Sequence, residues 1–122
     1  MNRDYRKIVA WQRAHQLTLE IYKLTRTFPR EEMYGVTSQL RRAAYSVPSN
    51  IVEGSGRDSE KEYLRFLDIA FSSLKETEYF LLLARDLDYM KDNDYENIRK
   101  QVNNCFAPLH GLISKIKERV QI

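Results

Sequence analysis

The sequence predicts an all-α protein: an antiparallel up-down four-helix bundle with proline irregularities in helices two and four. Four successive segments return apolar residues at alternating steps of three and four, the signature of a helix with one buried face. The connections between them are short, which favours antiparallel packing of consecutive helices. No stretch alternates polar and apolar residues at period two for long enough to build a sheet. A length of 122 residues fits one domain, residues 1–122.

In the first segment Ala10, Ala14, Leu17, Ile21, Leu24 and Phe28 form the stripe, and Trp11 and Tyr22 widen it. Pro29 then ends the helix, because the residue before a proline is pushed out of the helical region. The second segment runs from Val36 through Leu40, Ala43, Ala44, Val47 and Ile51 to about Gly54. Pro48 inside it removes a backbone donor and predicts a kink or a break. Gly54, Ser55 and Gly56 then read as a left-handed cap and turn. Ser59 and Glu62 form a capping box for the third helix, whose stripe is Leu64, Leu67, Phe71, Leu74, Leu81 and Ala84, with its end near Leu87. Asp88 to Asp94 is a polar turn, and Asp92, Asp94 and Glu96 suit the positive end of a fourth helix. That helix carries Ile98, Val102, Cys105, Leu109, Leu112, Ile116 and Val120, with irregularity expected at Pro108 and weakening at Gly111.

The formal net charge is +3, unevenly spread. Arg3, Arg6, Lys7, Arg13, Lys23, Arg26 and Arg30 crowd the first thirty residues against Asp4 and Glu20. The stretch from Asp58 to Glu96 is acidic, and Arg99, Lys100, Lys115, Lys117 and Arg119 restore the basic sign. Helices from the two ends can share a basic face for an anionic partner, or the pattern can serve only solubility and helix–helix attraction. No apolar run follows Met1–Lys7 beyond Ile8–Trp11, so no signal peptide is expected. The longest apolar run, Tyr79–Ala84, is too short to cross a bilayer as a helix. One cysteine, Cys105, excludes an intramolecular disulfide and suits a reducing cytoplasm.

Catalytic and cofactor patterns are missing. Di-metal helical bundles use Glu-x-x-His pairs, but the residues three before His15 and His110 are Gln12 and Ala107. Glu20, Glu53 and Glu78 alone make a poor ligand inventory. Gly54-Ser55-Gly56 lacks the lysine and hydroxyl of a phosphate-cradling loop. Cys105, on the apolar stripe, reads as a core group, and His15 and His110 as donors at helix interfaces. The tyrosines, spread over separate helices, read as packing groups at core edges.

The stretch Gln39–Gly54 is richer than packing requires. Gln39, Arg42, Ser46, Asn50 and Glu53 follow helical steps, so a polar line runs beside the apolar one. Pro48 leaves the carbonyl of Ala44 without its helical donor, with Ser46, Ser49, Asn50 or water to repair it. Arg41 and Arg42 match phosphate oxygens in geometry. The line therefore reads as a structural polar network or subunit seam, or as part of a phosphate-binding surface.

These residues carry a resemblance. Val9-Ala10-Trp11-Gln12, Ile21-Tyr22, Phe28-Pro29, Tyr34-Gly35, Gln39–Ala43, Ser46–Gly54, Arg57, Phe66-Leu67, Ile69-Ala70 and Ser73–Glu76 resemble the four-helix bundle family associated with intervening sequences of bacterial 23S ribosomal RNA genes. Ser72 stands where that family commonly has glycine, a place for close helix approach. The resemblance implies an up-down bundle, often a ring of five subunits, and it is similar to the accessory protein of diversity-generating retroelements, a basic bundle that works with a reverse transcriptase and RNA.

The expectation is a non-enzymatic, self-associating accessory or scaffold protein binding RNA or a nucleoprotein partner, with no cofactor, small-molecule substrate or membrane. Its candidate nucleic-acid residues are Arg13, Arg41, Arg42, Lys115, Lys117 and Arg119. Apolar area outside the core, around Trp11, Tyr45 or Phe80, is expected to serve assembly. The alternatives are a metal-dependent bundle enzyme and an adaptor that binds only protein.

Overall fold

The computed structural model describes residues 3–121. After a 3-10 turn at Tyr5–Lys7, four α-helices follow among these residues: α1 (Val9–Thr25), α2 (Val36–Ser55), α3 (Glu60–Asp86) and α4 (Asp92–Gln121). A second 3-10 turn, Arg30–Glu32, joins α1 to α2, and no strand occurs among the described residues. Each helix packs on two others, α1 and α3 both touching α2 and α4, while the diagonal pairs do not meet. Thr18 meets Ala44 and Thr25 meets Arg41; Ser46 meets Ser73 and Gly54 meets Phe66. Phe71 meets Phe106 and Arg85 meets Tyr95. Along each of these seams one residue number falls as the other rises, so the chain reverses at each turn. No described helix is long and apolar enough to cross a membrane.

The stripes face one another as a single cluster that includes Leu17, Ile21, Leu40, Ile51, Leu67, Leu74, Leu81, Val102, Leu109 and Ile116. Some assignments shift by one position. On α4 the buried residue is Ile113, while Leu112 is half-buried and Val120 is exposed. On α3 Tyr63, Phe66, Ala70 and Thr77 are buried, whereas Leu64 and Phe71 are half-buried. Burial of Tyr63 raises its phenol above the ordinary range. Trp11 and Phe80 are half-buried against the core, and Tyr45 is exposed.

Helix α1 stops at Thr25, before Phe28 and Pro29. Two threonines take over its last carbonyls: Thr25 Oγ1 donates to Ile21 O (2.8 Å) and Thr27 Oγ1 to Leu24 O (3.1 Å). Hydroxyls that compete for backbone acceptors favour helix ends in this way. Helix α2 opens without a capping side chain at Gly35, and Glu32 substitutes, its Oε1 accepting from Val36 N at 3.3 Å. A Cβ at Gly35 would collide with that carboxylate oxygen. The other Glu32 oxygen accepts from Tyr89 Oη, which ties the α2 entrance to the α3–α4 turn. That hydrogen bond, with desolvation and the Glu32 charge, raises the Tyr89 phenol.

Gly54 and Ser55 are not a left-handed cap. Both lie inside α2, and Gly56 ends the helix with φ −88°, in the right-handed region. Gly54 is needed for another reason. A Cβ there would stand 2.9 Å from Phe66 Cβ and 3.0 Å from Tyr63 Cδ1, so α2 and α3 approach too closely for any side chain. Ser59 caps α3 by accepting from Glu62 N at 3.0 Å, while the Glu62 carboxylate accepts from Arg65.

The left-handed cap occurs at the end of α3 instead. Asp88 has φ 62°, Tyr89 N donates to Ala84 O and Asp88 N to Arg85 O, each at 2.9 Å, the paired bonds of a Schellman motif. Glycine has no Cβ penalty in that conformation. D88G is expected to stabilise the protein by about 0.5 kcal/mol and D88A to destabilise it by a similar amount. Urea midpoints of the two variants against the parent would measure this.

Candidate functional site

Pro48 and Pro108 lie inside uninterrupted helices, and α1 supplies what each removes. Pro48 deprives the Ala44 carbonyl of its donor. Thr18 Oγ1, from α1, donates to that oxygen at 3.2 Å while donating to Ala14 O of its own helix at 2.8 Å. The expected repair groups do otherwise: Ser49 Oγ and Asn50 Nδ2 both donate to Ser46 O, at 3.3 and 2.7 Å. Pro108 deprives the Asn104 carbonyl in the same way, and Arg13 Nη1 donates to it at 2.9 Å. Arg13 is therefore engaged in joining α1 to α4.

Arg41 is engaged likewise. Its Nε donates to Thr25 Oγ1 at 2.8 Å, and its guanidinium lies over the Tyr22 ring, 4.7 Å from the centroid. It clamps the end of α1, where the carbonyls carry the negative pole of the helix. Arg42 is exposed, without a hydrogen bond or ion pair among the described residues.

The remaining candidates cluster at the end of the bundle where the first and last described residues meet. Lys115, Lys117 and Arg119 are exposed on the last turns of α4. Arg119 Nη1 stands 3.8 Å from Glu60 Oε1, and Arg3 Nη2 holds the same oxygen at 3.1 Å. Arg3 also donates to the carbonyls of Ser55 (3.2 Å) and Arg57 (2.8 Å) and covers the Tyr63 ring at 4.3 Å. Arg6 and Lys7 follow directly and are exposed, Arg6 pairing with Asp4 at 3.1 Å. The Arg6 hydrogen bond holds the Asp4 carboxyl below its usual value. This end collects Arg3, Arg6, Lys7, Lys115, Lys117 and Arg119. Sequence reasoning counted the first three as basic but missed that Arg3 and Arg119 meet at one carboxylate, Glu60.

The polar line on α2 divides. Ser46 Oγ bonds Ser73 Oγ at 2.9 Å, and Asn50 Nδ2 reaches Ser46 Oγ at 3.0 Å, bridging α2 to α3. Glu53 pairs with Arg57 at 2.6 Å, away from Asn50. The side chain of Gln39, like that of Arg42, is exposed and makes no hydrogen bond among the described residues, so neither joins this network.

Between α1 and α4 an open groove of about 560 Å³ mixes Glu20 and Asp94 with Lys23, Asn97 and Gln101. No group of three or more histidine, cysteine, aspartate or glutamate residues placed to hold a metal occurs among the described residues.

The family model described as 23S rRNA-intervening sequence protein matches residues 6–111. The chain belongs to this family. A solved structure, of a protein of unknown function from the S23 ribosomal protein family of Bacteroides thetaiotaomicron, superimposes with a TM-score of 0.76. The two are 24% identical, and the alignment covers 86% of this chain and 98% of the other. At that identity the likeness shows the shared fold. No curated protein matches the chain.

In this member of the 23S rRNA-intervening sequence protein family the nucleophile and base candidates stand apart. His15 is exposed and stacks on Trp11 with ring centroids 4.9 Å apart, and His110 is exposed on α4; neither sits within a helix interface. Ser72 is exposed too, so its small size opens no space inside the bundle. Cys105 is 2% exposed, and burial pushes its thiol up to about 11. At pH 8 a maleimide is expected to label it only through opening of the fold, at a rate that rises steeply with urea. The neutral thiol favours the folded state, so this contribution is complete below pH 9 and is lost as pH rises toward 11.

Proposed function

We propose that this protein is a self-associating accessory or scaffold of the cytoplasm that binds RNA or a ribonucleoprotein and carries no reaction of its own. Family resemblance supports assembly into a ring of five. The observation that carries the reading is the basic end of the bundle, where Arg3 and Arg119 meet at Glu60 and where Arg6 and Lys7 before α1 and Lys115 and Lys117 on the last turns of α4 are exposed. Glu60 draws Arg3 into the fold and leaves Arg119, whose side chain is 49% exposed, at the surface with the others. Side chains of this kind contact phosphates regardless of base, and assembly multiplies weak contacts by presenting several copies at once.

Phosphate contact releases counterions, so binding falls as salt rises. For a fluorescent single-stranded RNA titrated between 50 and 300 mM salt, K115E/K117E is expected to flatten the slope of log Kobs against log salt by about one unit for each lysine that faces a phosphate. Absence of binding to RNA at the lowest salt would remove the RNA part of the proposal. Arg13 and Arg41 each commit a guanidinium donor to the carbonyl and hydroxyl acceptors described above, which leaves Arg42 and the basic end with the more open cations.

A further inference from the structure

Leu19 is 46% exposed at the centre of the outer face of α1. One turn to either side stand His15 and Lys23, both exposed, with Arg26 one turn further. His15 is braced by its stack on Trp11, and Lys23 is held only loosely, 3.8 Å from Glu20. This face offers an apolar knob between the His15 imidazole and the Lys23 ammonium.

The outer face of α3 carries the complement. Asp68, Ser72 and Glu76 are exposed in a row at four-residue steps, with Tyr79, 55% exposed, beside them. Neither carboxylate has a hydrogen bond or ion pair among the described residues, whereas neighbouring Glu62 and Glu78 are paired with Arg65 and Lys75. Ser72 is small, with a carboxylate one turn above and one turn below it. His15 to Lys23 and Asp68 to Glu76 each span eight residues, about 12 Å of helix.

We propose that the Leu19 face of α1 docks a second copy of this chain, seating Leu19 over Ser72 with the Lys23 ammonium against one of the carboxylates Asp68 and Glu76 and the His15 imidazole within reach of the other. Helices α1 and α3 lie on opposite sides of the bundle, so each copy presents one patch to each neighbour. Two different patches in contact make a head-to-tail interface, which extends from copy to copy and closes into a ring when the rotation allows. The proposal rests on the self-association reading and names the surface that performs it.

The test uses two exposed positions whose replacement leaves the core untouched, L19D and S72W. Analytical ultracentrifugation of the parent chain is expected to show assembly, and each variant a rise of roughly 30-fold or more in the dissociation constant. An equimolar mixture of L19D and S72W retains one intact Leu19 face and one intact Ser72 face. It is expected to give a one-to-one dimer and nothing larger. Circular dichroism melts matching the parent would confirm that both variants are folded. K23E and E76K, each expected to weaken assembly alone, are expected to restore it beyond the dimer when mixed, because the reversed charges then face each other. A parent that stays monomeric at all concentrations overturns the self-association reading and this surface with it. A parent that assembles while folded L19D and S72W assemble equally well overturns the surface and leaves self-association standing.

Discussion

Replacing Gly54 by valine is expected to destabilise the protein by about 3 kcal/mol, with a fall of roughly ten degrees or more in melting temperature. Alanine favours a helix interior over glycine by about 1 kcal/mol, so an exposed glycine at this place would gain from the change. Gly54 would lose, because the first atom added stands 2.9 Å from Phe66 Cβ and 3.3 Å from the Tyr63 carbonyl. These neighbours belong to the backbone of α3 or are fixed to it, so relief requires separating the two helices. G54A is expected to lose about 1–2 kcal/mol, the difference between overpacking and propensity. Gly111 supplies the control: nothing lies within 4 Å of its added Cβ, and G111A is expected to stabilise. Thermal melts of the three variants followed by circular dichroism would decide the matter, and a G54A protein as stable as the parent would disprove the close approach.

Thr18→Val is expected to destabilise by about 1–2 kcal/mol, and the loss should largely vanish when Pro48 is also replaced by alanine. Valine keeps the shape of threonine and removes only the hydroxyl. The Ala44 carbonyl, on a residue 1% exposed, then has no donor from Pro48, from Thr18 or from bulk water. With alanine at position 48 the backbone N–H returns and the carbonyl no longer needs α1. A double-mutant cycle in urea would read this as a coupling of about 1 kcal/mol or more, and additive losses would refute it. The corresponding change at Arg13 should be milder. Asn104 is exposed, so water can replace the guanidinium on its carbonyl.

Residue spacing disclosed the four helices because burial of one face leaves its period in the chain. It was less able to choose between adjacent apolar residues. Leu112 and Ile113 are both good core residues, and the decision in favour of Ile113 depends on where α4 lies against its neighbours. Thr77 is fully buried, a position that hydropathy alone passes over, because its hydroxyl donates to Ser73 O at 2.8 Å within α3. The candidate site was harder to read for a related reason. A cation's availability depends on what stands opposite it in space. Arg13 and Arg41 looked like phosphate ligands, and each is occupied by an acceptor on another helix. One signal was within reach: subtracting the N–H of Pro108 identifies Asn104 as an acceptor in need, as subtracting that of Pro48 identifies Ala44. Neither subtraction says which helix will answer, and it was the first helix both times.

The donors from the first eighteen residues have a consequence for how the molecule comes apart. Arg3 serves carbonyls at the α2–α3 connection, Arg13 serves α4 and Thr18 serves α2. Detachment of that leading segment strands acceptors on both of the helices that flank it. A remnant of the other three helices would have only solvent to serve those acceptors and would bare the apolar stripe that the first helix covers, so piecemeal fraying from the front is penalised. Amide protons around Pro48 and Pro108 should then exchange in step with those of the opening helix, as a single cooperative event.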